Sequence, residues 1–471
     1  MIARILTSIR SRWHDESGYR VVLRMALPLI LSTGSWSLQQ FVDRMFLSWH
    51  SPESIAAVMP AGMVNFCLFS LLIGTAAYTN TFVAQYHGAS RPQRIGAAVW
   101  QGLYLTLSAI ALVALVYPFS GWFFRIMGHA PAVVEAEISY FRILLFGAPA
   151  VVIVNACSGF FSGLGRPWVI FWADIIATLV NIVLDYLWIF GKAGFPAMGI
   201  AGAAYATVVA MSVSALLLFV LMTRRSYARS HRTRSAWRFN PDLFRRLVRF
   251  GFPNGLQMFL ESLAFTIFIL IVGRLGTSHL AATNIAFNIN SLAFVPMFGM
   301  MTAVTALVGQ ALGKDLPDKA EELTWSALHL AMAYFGTLAA GYFFLPQIFL
   351  YPFGLTSGSF EMAQIHDIAA LLLRFVAVYC LFDAMNMIFS AALKGAGDTR
   401  YVAATTIYLA WLVMVIPSII GWQLQLRSIY LLWLFLTLYV MSLGLVFRRR
   451  FRNGPWKEMR VIEQGGANLP D

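Results

Sequence analysis

The sequence predicts an all-α polytopic membrane protein, with about twelve transmembrane helices in two parallel six-helix repeats forming two lobes around a central cleft. Three observations carry this. The 471 residues are 59% hydrophobic and only 12% charged, with a mean hydropathy of +0.70, too little charge to cover a soluble fold of this size. Apolar segments long enough to span a bilayer recur from end to end. One residue offset relates the two halves.

The elements follow in order. Residues 1–19 hold Arg4, Arg10 and Arg12 but neither a continuous apolar core nor a small-residue cleavage site, and read as an amphipathic cytoplasmic lead-in. The N-terminal lobe, 20–222, carries spans at 20–48, 54–84, 95–120, 138–162, 168–190 and 199–222. A basic cytoplasmic linker, 223–243, leads to the C-terminal lobe, 244–447, with spans at 244–273, 279–310, 323–351, 366–393, 400–422 and 427–447. The basic tail, 448–471, is expected to be partly disordered beyond Arg452.

Basic residues orient these spans. Arg10, Arg12, Arg20, Arg91, Arg94, Arg166, the six linker arginines between Arg224 and Arg238, and Arg448-Arg449-Arg450 all fall on one side; Lys192, Arg274 and Arg427 are scattered singly on the other. The positive-inside rule then places both termini in the cytoplasm. The net charge of +13 is explained by this asymmetry, and nucleic-acid binding is set aside.

An internal repeat underlies the two-lobe expectation. Pro28 and Pro253, Ala57 and Ala282, Gln85 and Gln310, and Gly88 and Gly313 all stand 225 residues apart. Gly163-Leu164-Gly165 has a counterpart in Gly395-Ala396-Gly397. Six spans separate the copies, so the halves share one topology and should be related by a pseudo-twofold axis along the membrane normal.

Catalytic constellations are lacking. Cys67, Cys157 and Cys380 sit inside apolar segments without metal spacing, and the eight histidines are scattered. An integral membrane enzyme is thereby disfavoured, and no cofactor is expected. The candidates are instead charges that do not belong in lipid. Of 21 acidic residues, five fall inside predicted spans beyond their first turn: Asp43, Asp174, Asp185, Glu261 and Asp383. Each costs several kcal/mol if ionised in hydrocarbon, so each is a candidate site residue.

Asp174, Thr178, Asn181 and Asp185 share one helix stripe, able to line a wet cavity and offer oxygens to a proton or small hard cation. A polar seam holding helices together is the plainer alternative. Asp43 follows the polar run Ser35-Trp36-Ser37-Leu38-Gln39-Gln40. In the second half, Asn254, Gln257 and Glu261 form one stripe, Asp383, Asn386 and Ser390 a second, and Asn284 and Asn288 a third. The aromatic share of 15% and 20 methionines suit an adaptable site for flat organic cations.

Three stretches carry a family resemblance: Gln39-Gln40-Phe41-Val42-Asp43-Arg44 with Ile55-Ala56-Ala57-Val58; Asn181-Ile182-Val183-Leu184-Asp185-Tyr186 running through Ile189-Phe190-Gly191 to Gly199–Thr207; and Gly395-Ala396-Gly397-Asp398-Thr399. They resemble the multidrug and toxic compound extrusion (MATE) family over about residues 20–447. The resemblance implies a V-shaped exporter, resident in a bacterial inner membrane, that exchanges small-molecule organic substrates, often cations, for H⁺ or Na⁺. It maps a first-lobe coupling site onto Asp43, Asn181, Asp185 and Thr207, with no metal beyond Na⁺ at Asp43, Asn181 and Asp185. It maps second-lobe ion or substrate binding onto Glu261 and Asp383, beside Gln257, Asn284 and Asn288 from the stripes. No protein partner is implied besides membrane lipid.

The chain carries both acid sets, which branches of the family need not combine, so the resemblance leaves branch and coupling ion open, with a slight preference for H⁺. The related alternative is a flippase for lipid-linked oligosaccharide, disfavoured because the arginines lie mostly outside the spans. A major-facilitator exporter is disfavoured by the absence of its Asp-Arg-rich motif from Gly88-Ala89-Ser90-Arg91-Pro92.

Overall fold

The computed structural model describes residues 12–13, 15–353 and 360–463. Most of the expected lead-in and the last part of the tail therefore lie outside the described residues. Regular structure within them is entirely helical. Helix α1 (Tyr19–His50) is the first span; α2 (Pro52–Ala77) and α3 (Thr79–Gly88) run together as the second; α4 (Pro92–Val116) and the short α5 (Ser120–Ile126) form the third. A 46° bend separates α6 (Pro131–Leu145) from α7 (Ala148–Gly163), which together make the fourth. Helices α8 (Pro167–Phe190) and α9 (Ile200–Met222) complete the first six.

After α10 (Arg225–His231) come α11 (Pro241–Gly273), α12 (Thr277–Gly313), α13 (Pro317–Phe344), a short α14 (Pro346–Leu350) and α15 (Phe360–Ala396). Helix α16 (Thr399–Leu409) continues through a π-helical stretch, Ala410–Val415, into α17 (Ile416–Gln423), and α18 (Ile429–Arg452) is last. Among the described residues, eleven helices are long and apolar enough to cross a membrane, or twelve with the bent pair as one. The segment expected over 323–351 stops earlier, at Phe344. Pro346 is the reason: it has no N–H to continue the ladder and disfavours helical geometry at Leu345.

The sequence repeat reappears in the backbone. Ser90 (φ 55°), Gly165 (φ 74°), Asp315 (φ 55°) and Gly397 (φ 111°) stand two residues after Gly88, Gly163, Gly313 and Gly395, each in the left-handed region. Proline then opens the next helix at Pro92, Pro167 and Pro317, where a missing N–H costs nothing. The same reversal is thus used repeatedly.

The chain packs as two compact units that interleave along the sequence. The first unit comprises Leu27–Phe259, Gly309–Asp315 and Arg460–Asp471; the second comprises Met1–Ala26, Leu260–Val308 and Leu316–Met459. Their boundaries cut α1 beside Pro28 and α11 six residues past Pro253.

Within the first unit, the repeat-related glycines pack reciprocally. A Cβ on Gly88 would lie 2.1 Å from the Gln310 carbonyl oxygen, and one on Gly313 would lie 2.2 Å from that of Gln85. Only glycine permits backbones this close. An apolar core of Phe46, Leu47, Val58, Phe69, Phe141 and Leu145 packs α1, α2, α6, α8 and α9 together at one end of that unit. Elsewhere large apolar side chains face outward (Leu292 is 70% exposed and Phe344 72%), as helices do when lipid is their solvent.

The linker and tail are more ordered than their composition suggests. Thr233 is buried, donates to the Met222 carbonyl oxygen (2.9 Å), and its own carbonyl accepts from Trp100 Nε1 (2.7 Å). Past Arg452, the expected disorder is not what residues 453–463 show. Trp456 is buried and stacked on Phe451, with centroids 4.6 Å apart, in the second unit. In the first unit the Val461 amide donates to Gln85 Oε1 (2.8 Å), Tyr86 donates to Glu463 (2.9 Å), and Arg246 pairs with Glu463.

Candidate functional site

In the first unit, α1, α8 and α9 assemble the site. The Pro167 start sets the register of α8, and Gly191 in the left-handed conformation ends it. Asn181 and Asp185, four residues apart, then share one face and are fully buried. Asp43 on α1 is 5% exposed. With its amide nitrogen turned towards them, Asn181 donates to Asp43 Oδ1 (2.8 Å) and Asp185 Oδ2 (3.1 Å). The two carboxyls also lie close enough to act on each other directly. Tyr140 on α6 is buried close enough to feel both charges.

Thr207 is buried on α9, but no hydrogen bond joins it to the three. Its hydroxyl and Asp185 Oδ1 are buried without a partner among the described residues. An unmet buried polar atom costs about 1–3 kcal/mol, so these oxygens fit a small cation or an ordered water. Two carboxyls, an amide and a hydroxyl form a hard, oxygen-rich set suited to H⁺ or Na⁺. No group of three or more histidine, cysteine or acidic side chains suited to a metal ion occurs among the described residues.

Asp174 lies three turns away on α8. Its carboxylate accepts from Ser32 Oγ on α1 and from Ser214 Oγ on α9 (3.3 Å).

The second unit builds a different cluster. Tyr439 on α18 donates to Glu261 Oε1 on α11 (3.1 Å), and Asn386 donates to Asp383 Oδ1 on α15 (2.9 Å). Glu261 and Asp383 lie near enough for each charge to act on the other. Lys394, three turns beyond Asp383 on α15, acts on Glu261 as well. Asn290 donates to the Tyr379 hydroxyl (3.0 Å) beside Asp383.

Two of the remaining expected residues face outward. Asn284 and Asn288 are exposed on α12, Asn288 donating to the Asn284 carbonyl (2.9 Å). Gln257 is buried on α11, one turn before Glu261.

Two charged residues escaped the sequence reading. Lys394 is one residue beyond the expected span 366–393, and Glu137 one residue before the expected span 138–162. Glu137 is fully buried on α6, with Oε1 2.8 Å from His129 Nδ1 and Oε2 without a partner among the described residues. A scan that extended each span by one turn would have found both.

Comparison with known proteins places these features. The chain is 28% identical over 405 residues to the probable multidrug resistance protein NorM of Mannheimia succiniciproducens, covering 83% of both chains. It is 29% identical over 400 residues to the multidrug resistance protein PmpM of Pseudomonas aeruginosa, covering 83% of this chain and 81% of that one. Among solved structures, an outward-facing multidrug resistance MATE transporter of the MOP superfamily superposes with a TM-score of 0.84 at 24% identity, covering 94% of this chain and 97% of that one. The MatE family model matches residues 28–187 and 253–420, one block in each repeat. Members of this family are transporters and not enzymes, and this chain belongs to it.

Proposed function

We propose that this protein is a secondary antiporter that exports drug-like, often cationic organic compounds in exchange for H⁺ or Na⁺ by alternating access, from a bacterial inner membrane with both termini cytoplasmic. The observation that carries this reading is the Asp43–Asn181–Asp185 cluster, whose two interacting carboxyls are buried on membrane-spanning helices with no cationic side chain bonded to them. Such a cluster is stable only while a proton or cation offsets its charge. Loading from outside neutralises it and lets the helices close; unloading inside restores the charge and favours reopening to external water. Each charge moving inward gains about 2.3 kcal/mol per 100 mV of membrane potential.

Glu261 and Asp383 attract the organic cation in this scheme, with Phe287, Trp433 and Tyr439 nearby in the same unit offering aromatic surface. The names of NorM and PmpM supply the substrate class.

The test is transport in liposomes. Purified protein is given ethidium under separately imposed H⁺ and Na⁺ gradients, with Asp185→Asn alongside. Exchange driven by one gradient and lost in Asp185→Asn is the expected result and names the ion. Wild-type protein that responds to neither gradient overturns antiport and turns attention to lipid-linked oligosaccharide flipping.

A further inference from the structure

The same three helices that hold the outer carboxyl pair carry a second polar layer, and a file of buried polar side chains at helical spacing lies between the two. On α1, Ser32, Ser35, Gln39 and Asp43 follow at intervals of three, four and four, and all are buried (5–7% exposed). On α8, Asp174, Thr178, Asn181 and Asp185 follow at four, three and four; the last three are buried (0–4% exposed) and Asp174 is half-buried. On α9, Thr207 and Ser214 are buried two turns apart. Both layers draw carboxyl and hydroxyl groups from the same three helices: Asp43, Asp185 and Thr207 at one level, Ser32, Asp174 and Ser214 at the other. Eleven residues separate them on α1 and α8, about 16 Å of helix.

We propose that Asp174 is a second proton station of the first unit, on the inward side of the Asp43–Asp185 pair, and that protons cross the unit along this file.

Geometry and chemistry favour this over a role as glue. Two serines facing each other could hold α1 and α9 together without a carboxylate, whose burial in a span is the costly choice. Two acids outside the spans sit beside cations, Asp398 with Arg450 (2.8 Å) and Glu463 with Arg246. The Asp174 oxygens are met by hydroxyls alone among the described residues. Hydroxyls suit a group that alternates between charged and neutral, since each can donate to the carboxylate or accept from the acid. The level of Asp174 is the end of α8 that begins at Arg166, cytoplasmic in the orientation proposed above.

The balance is one proton. It leaves the outer pair, which regains its uncompensated charge. It passes the Thr178 and Ser35 hydroxyls and intervening water, and is taken up by the Asp174 carboxylate. It then leaves Asp174 for cytoplasmic water, and that carboxylate is ionised again.

This inference rests on the antiport reading, and the experiment separates the two. Liposomes holding a pH-sensitive dye are loaded with wild type, Asp174→Asn, Asp174→Glu or Asp185→Asn, and proton-driven ethidium exchange is followed across pH. Ethidium affinity and the proton released on ethidium binding are measured in detergent. In Asp174→Asn, affinity and proton release should match wild type while exchange slows about tenfold or more and its pH profile flattens. Asp174→Glu should restore rate and profile. Exchange by Asp174→Asn at the wild-type rate with an unaltered profile overturns the proposal. So does equal impairment of the Asn and Glu variants with a lowered melting temperature, which marks a packing role. Wild-type protein that neither exchanges nor releases protons overturns the antiport reading itself, and the second station with it.

Discussion

The two carboxylate clusters solve one problem in opposite ways. In the first unit, Asp43 and Asp185 share the Asn181 amide and each other, and nothing cationic is hydrogen-bonded to them. In the second, Glu261 and Asp383 have separate neutral donors, Tyr439 and Asn386, and Lys394 supplies a positive charge from the helix that carries Asp383. The cation nearest the first pair, Arg44, is exposed and screened by solvent, so that site takes a counter-charge from solution and registers the ion gradient. A site that contains a lysine is partly satisfied already and can hold its shape between substrates.

The sharpest way to break this contrast is Asp185→Asn, which removes the charge that must be met. Ion-driven exchange should fall by about 100-fold or more, equivalent to about 2.7 kcal/mol, whereas Glu261→Gln should chiefly weaken ethidium binding. Equal loss of ion response in both variants would show that the clusters are not specialised.

Next in size is Lys394→Met. Removing the internal cation makes the second cluster more negative, so ethidium should bind about three- to tenfold more tightly in a titration at low salt. Weaker binding would mean that the lysine contacts substrate directly. Tyr439→Phe should cost one hydrogen bond to Glu261, about 0.5–1.5 kcal/mol, read as a change of up to about tenfold in ethidium affinity with the ion response intact.

The smallest effect belongs to Glu463, a carboxylate outside the spans that serves as a reference case. Burial pushes its carboxyl up, but its own backbone hydrogen bond, Arg246, Tyr86 and Arg94 outweigh this and leave it below the ordinary 4.5. A depressed carboxylate contributes stability that is fully present above its unfolded value and lost as pH falls through its folded value. Hydrogen-exchange protection of the Val461 amide, bonded to Gln85, should therefore decline below about pH 4.5 in wild type. Glu463→Gln should remove that pH dependence.

Much of this was legible in the sequence because lipid makes the rules strict. All twelve expected spans have counterparts, and the stripe containing Asn181 and Asp185 faces inward as its spacing required. What was missed sits at boundaries. Hydropathy averages over a window, so Glu137 and Lys394, each one residue outside an expected span, were treated as exposed ends of helices that in fact continue through Pro131–Leu145 and to Ala396. Stripes were also legible only one helix at a time. Asn254, Gln257 and Glu261 follow one face of a single helix, Pro241–Gly273, but what that face meets is set by other helices and was not legible from the stripe alone. Nor could composition foresee that a basic tail docks, because its order depends on Gln85, Tyr86 and Arg246, hundreds of residues upstream.

The interleaving of the units has a consequence for biogenesis. Spans emerge from the ribosome in order, but the first unit includes Gly309–Asp315 and the docked segment Arg460–Glu463, and the second includes Tyr19–Ala26 from early in the chain. Insertion can therefore proceed helix by helix while packing of the first unit waits for residues 460–463. A chain truncated after Arg452 would leave the Arg246 guanidinium and the Gln85 side chain without their tail partners. Membrane quality-control proteases would meet it as an incompletely packed product, because the docked segment Arg460–Glu463 closes the first unit.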